Sequence, residues 1–140
     1  LFRSLDGLSM ALCTWPLMRR LRRERDLIAI DSHFAYPTGD AATRLGRWLS
    51  LPVTITMRGT EVHYLARPRM RQVVLRALRR AARVFSVSDS LRQAAIAAGA
   101  EPGHIHVVGN GVDLQRFSRR PQAEARRALD LPEGVPVLVS

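Results

Sequence analysis

Four short apolar runs, separated by stretches with helical periodicity, set the strongest constraint on this chain. Residues 26–31 (DLIAID), 52–57 (PVTITM), 84–88 (VFSVS) and 104–108 (HIHVV) are short and rich in Val and Ile. That combination reads as buried strands. Between them, residues 38–50 read as a helix, with Asp40 in the first turn where the helix dipole favours negative charge. Met70, Val73, Val74, Ala77, Leu78 and Ala81 recur at helical spacing, with Arg76, Arg79, Arg80 and Arg83 opposite. Ser88 is suited to cap a further helix whose face is Leu91, Ala94, Ala95 and Ala98, and Gly99 to end it. Strands alternating with helices imply βαβ units and a parallel sheet covered on both faces. With right-handed crossovers the expected fold is α/β, a Rossmann-like doubly wound parallel sheet.

The 140 residues, 46% of them hydrophobic, suffice for one domain with a core. The chain starts with Leu rather than Met, and residues 135–140 (VPVLVS) read as the opening of another buried strand. The expectation is an internal piece of a longer protein, or an incomplete gene product. A polar stretch, residues 118–134, holds two prolines and reads as a linker with a short helix over 122–129. There is no internal repeat or low-complexity tract.

The net charge is +10, and every one of the 22 basic residues is arginine. Phosphate binders use lysine as well as arginine, so the missing lysine points to a GC-rich genome more than to function. The charge still favours anionic partners: phosphate-bearing small molecules, an acidic membrane surface or nucleic acid. A single cysteine, Cys13, excludes an internal disulfide framework and suits a reducing compartment. No apolar run approaches the ~20 residues of a membrane span, and no signal peptide is visible.

In open parallel sheets, ligands bind beyond the carboxyl ends of the strands. The residues that follow the expected strands there are Ser32-His33-Phe34, Arg58-Gly59-Thr60-Glu61, Ser88-Asp89 and Gly109-Asn110-Gly111. Gly39, at a helix start, would let backbone N–H groups approach an anion; the plain alternative is a βα loop with His33 bonded locally. Arg58 at a strand end can grip a phosphate or carboxylate with two parallel hydrogen bonds, beside the space left by Gly59. Glu61 can accept sugar hydroxyls, or merely pair with Arg58. His104 and His106 alternate along a strand and point to one face, but no further ligands complete a metal set. No Ser-His-Asp pattern, P-loop, G-x-G-x-x-G or CxxC is present. The arginine run over 19–25 reads as a helix carboxyl end that can also touch acidic lipid. RNA binding is disfavoured because no aromatic residues interleave with it.

Taken together, these stretches resemble the family 4 glycosyltransferases of the two-domain GT-B type. DSHFAYPTGDAATRLGRWLSLPVTITMRGTEV is similar to the family's acceptor-side βαβ segment, with its His-x-x-x-Pro-x-Gly loop. ARVFSVSDSLRQAAIAAGAEPGHIHVVGNGVDLQRF is similar to the segment that closes the amino-terminal domain, and LDLPEGVPVLVS to the entry of the carboxyl-terminal domain. The resemblance covers about residues 25–140. It implies an acceptor-side domain over 1–117, with a linker and the first strand of a donor-side domain over 118–140.

The resemblance further implies sugar transfer from a nucleotide-sugar donor to a cell-surface polysaccharide or glycolipid acceptor, with retention and without a metal or other cofactor. Donor binding would fall mainly to the domain beyond residue 140, so this piece alone is expected to be inactive. His33, Gly39, Arg58, Gly59, Glu61 and Ser88 are the expected substrate-binding residues. Many members carry His where Arg58 stands. Arg58 stays protonated and cannot act as a base, so a catalytic part for it would be to orient the acceptor or offset charge on the leaving phosphate. Asn110, Gly111 and Asp113 are expected to turn the chain into the interdomain cleft, with Gly109 and Gly111 at positive φ and Asp113 accepting nearby N–H groups. The implied location is the bacterial cytoplasm or the inner face of the plasma membrane.

Three other classes compete with this reading. They are a non-catalytic scaffold that binds membrane or a partner subunit, a nucleic-acid binder, and a sugar-nucleotide epimerase of the same two-domain fold. The Asn-Gly-Val-Asp segment lends the epimerase no support.

Overall fold

The computed structural model describes residues 5–138. The chain divides into two compact units, Leu1–Asn110 and Gly111–Ser140.

The first unit opens with helix α1, Asp6–Glu24, which carries Asp6 in its first turn and Arg22 and Arg23 in its last. Both signs suit the helix dipole, and the arginine run does lie at a helix carboxyl end. Strand β1 (Ile30–His33) follows, then an irregular turn over Ala35–Gly39 and helix α2 (Asp40–Leu49). Next come β2 (Val53–Met57), a short helix α3 (Glu61–Leu65) and helix α4 (Pro68–Arg80). β3 (Arg83–Ser86), helix α5 (Asp89–Ala97) and β4 (Ile105–Val107) complete the unit.

All four strands are parallel, in the order β1-β2-β3-β4. This is a Rossmann-like α/β sheet. Its strand order advances in one direction, as in one half of a doubly wound sheet. Ser32, Ile55, Val84 and Ile105 lie in register across it and are all buried. They meet α2, α4 and α5 through a core that includes Met57, Val74, Ala77, Leu78, Leu91 and Ala95. A smaller cluster, Ala11, Ala41 and Leu45 with Trp15 and Met18, joins α1 to α2.

The expectation of cover on both faces does not hold for the described residues. Consecutive right-handed crossovers put every intervening helix on the same side. The other face presents the registered row His33, Thr56, Phe85 and His106, beside Asp31, Thr54 and Arg83. Asp31, His33, Arg83 and His106 there are exposed.

Three boundaries also differ from the sequence reading. β1 starts at Ile30, not at residue 26, because pairing begins where β2 begins: Ile30 N–H donates to Pro52 O and Ile30 lies against Val53. His104 belongs to a tight turn, Pro102–His104, so it does not share a strand face with His106. Its Nε2 lies 2.9 Å from the Ala81 carbonyl oxygen, which gives the ring a structural partner. Residues 135–138 form no strand, since among the described residues no ladder partner is present to satisfy their backbone; residues 139–140 of that run lie outside the described residues.

In the second unit, helix α6 spans Gln122–Ala128, within the range expected of a linker helix. It buries no residue. The Arg126 guanidinium donates to the carbonyls of Pro132 and Val135, folding the following segment back along the helix.

Candidate functional site

The carboxyl ends of the parallel strands face one edge, where the chain leaves β1 at Phe34, β2 at Arg58 and β3 at Val87. Each exit is held by the neighbouring strand. Phe34 N–H donates to Thr56 O, Val87 N–H to Met57 O and Val108 N–H to Ser86 O. Phe34 takes φ 69°, a left-handed conformation that non-glycine residues seldom adopt. Such strain is concentrated at functional edges.

Beneath this edge lies Glu61, with no exposed surface. Its Oε1 accepts the Ala35 N–H at 2.9 Å. Its Oε2 accepts the N–H groups of Arg58 at 3.2 Å and Gly59 at 2.9 Å. One carboxylate therefore joins the turn after β1 to the turn after β2. This differs from the expected part for Glu61 as an acceptor of sugar hydroxyls or an ion-pair partner of Arg58. Full burial removes it from solvent-borne ligands, and both its oxygens are taken by backbone amides. Among the described residues, the Arg58 guanidinium has no ion pair.

A shallow pocket of about 270 Å³ at this edge is lined by Arg58, Gly59, Val62, Val87, Ser88, Ser90 and Leu91. Gly59 takes φ +125° with no atom within 4 Å of where a Cβ would stand. It therefore turns the chain out of β2 while leaving space beside Arg58. Ser88 caps α5, its hydroxyl accepting the Leu91 N–H at 3.2 Å, and lies 3.0 Å from the Ser90 hydroxyl. The Ser86 hydroxyl donates to Ser88 O and fixes the entry to the cap. The pocket thus offers a guanidinium, two hydroxyls and an apolar floor, a set that can bind a polyol or an anion.

Arg58, Gly59 and Ser88, expected from sequence, meet in this pocket. Gly39 does not. It is buried at the foot of α2, and its N–H donates to Phe34 O at 3.0 Å, so that N–H is not free for an anion. What the glycine supplies is room: a Cβ would stand 2.9 Å from Phe34 O and 3.0 Å from Ile55 Cδ1. His33 ends β1 on the uncovered sheet face, with Nε2 3.5 Å from Asp31 Oδ2. Val62, Val87, Ser90 and Leu91 were missed. The Ser-Asp-Ser start of α5 signals Ser90, whereas the apolar residues carry no signal at all.

Asn110 ends the first unit, and Gly111 and Asp113 belong to the second. Residues 108–113 have no regular structure, and neither Gly109 nor Gly111 has positive φ, contrary to expectation. The reversal comes later. Asp113 Oδ1 accepts the N–H groups of Gln115 and Arg116, and Phe117 N–H donates to Asp113 O at 2.8 Å. The aspartate side chain makes this turn locally, without a glycine.

A second polar group is buried under the amino-terminal end of α1. Tyr36 is buried there, and Asp40 is wholly buried. Asp40 Oδ2 accepts from Arg44 Nε at 3.1 Å, while Oδ1 and the Tyr36 hydroxyl have no hydrogen-bond partner among the described residues. Burial, then the nearby Asp6 carboxylate, push the Tyr36 phenol up to about 12.

No group of His, Cys, Asp and Glu side chains among the described residues is arranged to hold a metal ion. No helix among them is long and apolar enough to cross a membrane. The family model described as Glycosyltransferase Family 4 matches residues 1–116. No curated protein sequence matches the chain.

Proposed function

The chain belongs to glycosyltransferase family 4, and from that premise we propose that residues 1–117 serve as the acceptor-side domain of a sugar transferase. The acceptor is a cell-surface polysaccharide or glycolipid, and the donor is a nucleotide sugar held mainly by a second domain that residues 118–140 lead into. In the transfer, an acceptor hydroxyl oxygen bonds to the anomeric carbon with retention of configuration. The bond from that carbon to the nucleotide's phosphate oxygen breaks, and the hydroxyl proton leaves with the departing diphosphate. No metal is assigned a part. The proposed setting is the bacterial cytoplasm, at the inner face of the plasma membrane.

The observation that carries this reading is the pocket formed by Arg58, Gly59, Ser88 and Ser90 at the carboxyl ends of β2 and β3. Arg58 is assigned to orienting the acceptor and to offsetting negative charge on the leaving phosphate. As a permanently protonated group it takes no proton. Ser88 and Ser90 suit acceptor hydroxyls. His33, on the neighbouring strand end, and Asn110, Gly111 and Asp113, beyond β4, are assigned to the wider cleft.

The test is amide resonance mapping of the purified 140-residue chain titrated with acceptor oligosaccharides, glycolipid headgroups and nucleotide sugars. Acceptor sugars should perturb Arg58, Gly59, Ser88 and Ser90 saturably, and Arg58→Ala should weaken that binding about tenfold or more. No nucleotide should be released from any nucleotide sugar by the chain alone. Turnover by the chain, or nucleotide sugars filling this pocket in preference to acceptors, would overturn the acceptor-side assignment.

A further inference from the structure

Helix α4 carries its charge against two physical costs. Seven of the chain's 22 arginines, and none of its 12 acidic residues, fall within residues 62–88. Among the described residues, none of the seven forms an ion pair. Arg67, Arg69 and Arg71 stand at the start of α4, where the helix dipole disfavours cations and no acidic residue offsets them. Arg67 and Arg71 are like charges four residues apart, as are Arg76 and Arg80, a spacing that destabilises a helix. Arg79 and Arg80, in the last turn, suit the dipole; the others have no such local reason.

Three of these arginines form a row along the helix. At 100° per residue Arg69, Arg76 and Arg80 fall within about 40° of one another, with exposed Gln72 beside them. At 1.5 Å per residue they stand about 10 Å and about 6 Å apart along the axis. At the carboxyl end of α4 the row meets a cavity of about 330 Å³ between α2 and α4, lined by Arg47 and Ser50 as well as Arg80. At its other end, α3 links α4 to the pocket beside Arg58, since Val62 lines that pocket and α4 begins directly after α3. Arg79 lies to one side and shares a different cavity with Glu101, so it is not part of the row.

We propose that this row is a docking track for an anionic polysaccharide, the body of an acceptor chain whose reacting end occupies the pocket at Arg58. The substrate class is then a glycan that bears carboxylate or phosphate groups at intervals, and not a neutral one. Arginine grips either group with paired hydrogen bonds, and a chain of spaced charges matches spaced guanidinium groups. Between Val62 and Val107 no large apolar side chain is exposed, so this surface has nothing to bury in hydrocarbon and a lipid bilayer is disfavoured. Nor does α4 carry an aromatic residue on which nucleic-acid bases would stack. The inference rests on the acceptor-side reading of the pocket and adds to it that the acceptor is acidic.

The test titrates the 140-residue chain with oligogalacturonate, a neutral dextran oligosaccharide, a DNA duplex and phosphatidylglycerol vesicles. Oligogalacturonate should bind, more weakly as salt is added. It should perturb the backbone amides of Arg69, Gln72, Arg76 and Arg80 together with those of Arg58 and Gly59, whereas dextran should leave α4 unmoved. Arg69→Gln with Arg76→Gln should weaken binding about tenfold. Because those substitutions relieve repulsion, the melting temperature should hold or rise, which separates lost binding from lost fold. Arg69→Gln alone, at an exposed position, should give a smaller loss in the same direction. Arg119→Gln with Arg120→Gln removes the same charge from the second unit and should leave binding as it was. Three outcomes overturn the proposal: no binding of oligogalacturonate, equal losses in the two double variants, or tighter binding of DNA or vesicles through the same arginines. The track and the pocket can fail separately. Perturbation at Arg58 and Gly59 with α4 silent removes the track and keeps the acceptor site. Perturbation of α4 with the pocket silent supports the track and counts against the acceptor reading of the pocket.

Discussion

Glu61 accepts a hydrogen bond from the backbone N–H of Ala35, 26 residues earlier, at 2.9 Å. With its second oxygen shared by Arg58 and Gly59, one fully buried carboxylate holds two loops of the sheet edge in fixed relation. The expectation is that Glu61→Ala destabilises the chain on the order of 3 kcal/mol, because buried N–H donors would lose their acceptor. Glu61→Gln should cost nearly as much, since its –NH₂ group would face an amide donor. Urea denaturation at neutral pH reads this directly. Midpoints within error of the unaltered chain would mean that the three amides find other partners.

Tyr36 lends itself to a titration that few proteins allow. The sequence has no lysine, so few kinds of side chain ionise in the alkaline range. The Tyr36 phenol is raised from 10.0 to about 12, so the folded state holds its proton where the unfolded chain releases it. The sign follows from that difference. The stability contributed is fully present below pH 10 and is lost as pH rises through 12, at most about 3 kcal/mol. Phenolate absorbance should show a step near pH 12 that Tyr36→Phe removes. If Tyr36→Phe leaves that step in place, the burial of the ring does not govern its ionisation.

How much of this was legible in the sequence depends on the range of the interaction. Strands β2 and β3 and helices α2, α4, α5 and α6 were readable because periodicity and caps are local: Ser88 does cap α5, and Gly99 does follow it at φ +109°. The turn role of Asp113 was readable for the same reason. The engagement of Glu61 was not, since its partner Ala35 is on another loop. Nor was the uncovered sheet face, because strand order, not strand pattern, decides on which side the helices fall. Glycines show the limit most plainly. The letter alone does not distinguish Gly59, used for its positive φ, from Gly39, used for its lack of a Cβ, or Gly111, used for neither.

Gly46 belongs with Gly39. It lies on α2 where the helix meets β2, and a Cβ there would run into the Val53 side chain and stand 2.8 Å from Leu51 O. Backbone cannot yield as a flexible side chain does, so Gly46→Ala should destabilise by about 1–3 kcal/mol despite alanine's better helix propensity. Gly103→Ala is the control, with no atom within 4 Å of the added carbon. Thermal melts of the two variants side by side decide it. Equal melting temperatures would mean that α2 can lift from the sheet at little cost.

The contrast between Gly99 and Gly111 tests the backbone alone. Gly99, after α5, is held at φ +109°, a region that residues with a Cβ rarely enter, while the nearest atom to a Cβ there is a comfortable 3.6 Å away, on Leu75. Steric contact is therefore absent, and any penalty for Gly99→Ala comes from conformation, on the order of 1 kcal/mol or more. Gly111 lacks a positive φ and has open space around it. Replacing it with Ala stiffens the unfolded chain without straining the folded one, so Gly111→Ala should be neutral or slightly stabilising, by less than about 1 kcal/mol. Chemical denaturation of the two variants gives the sign of each. A loss at Gly111 equal to that at Gly99 would show that the segment after β4 bends at the glycine itself, and not at the turn that Asp113 builds two residues later.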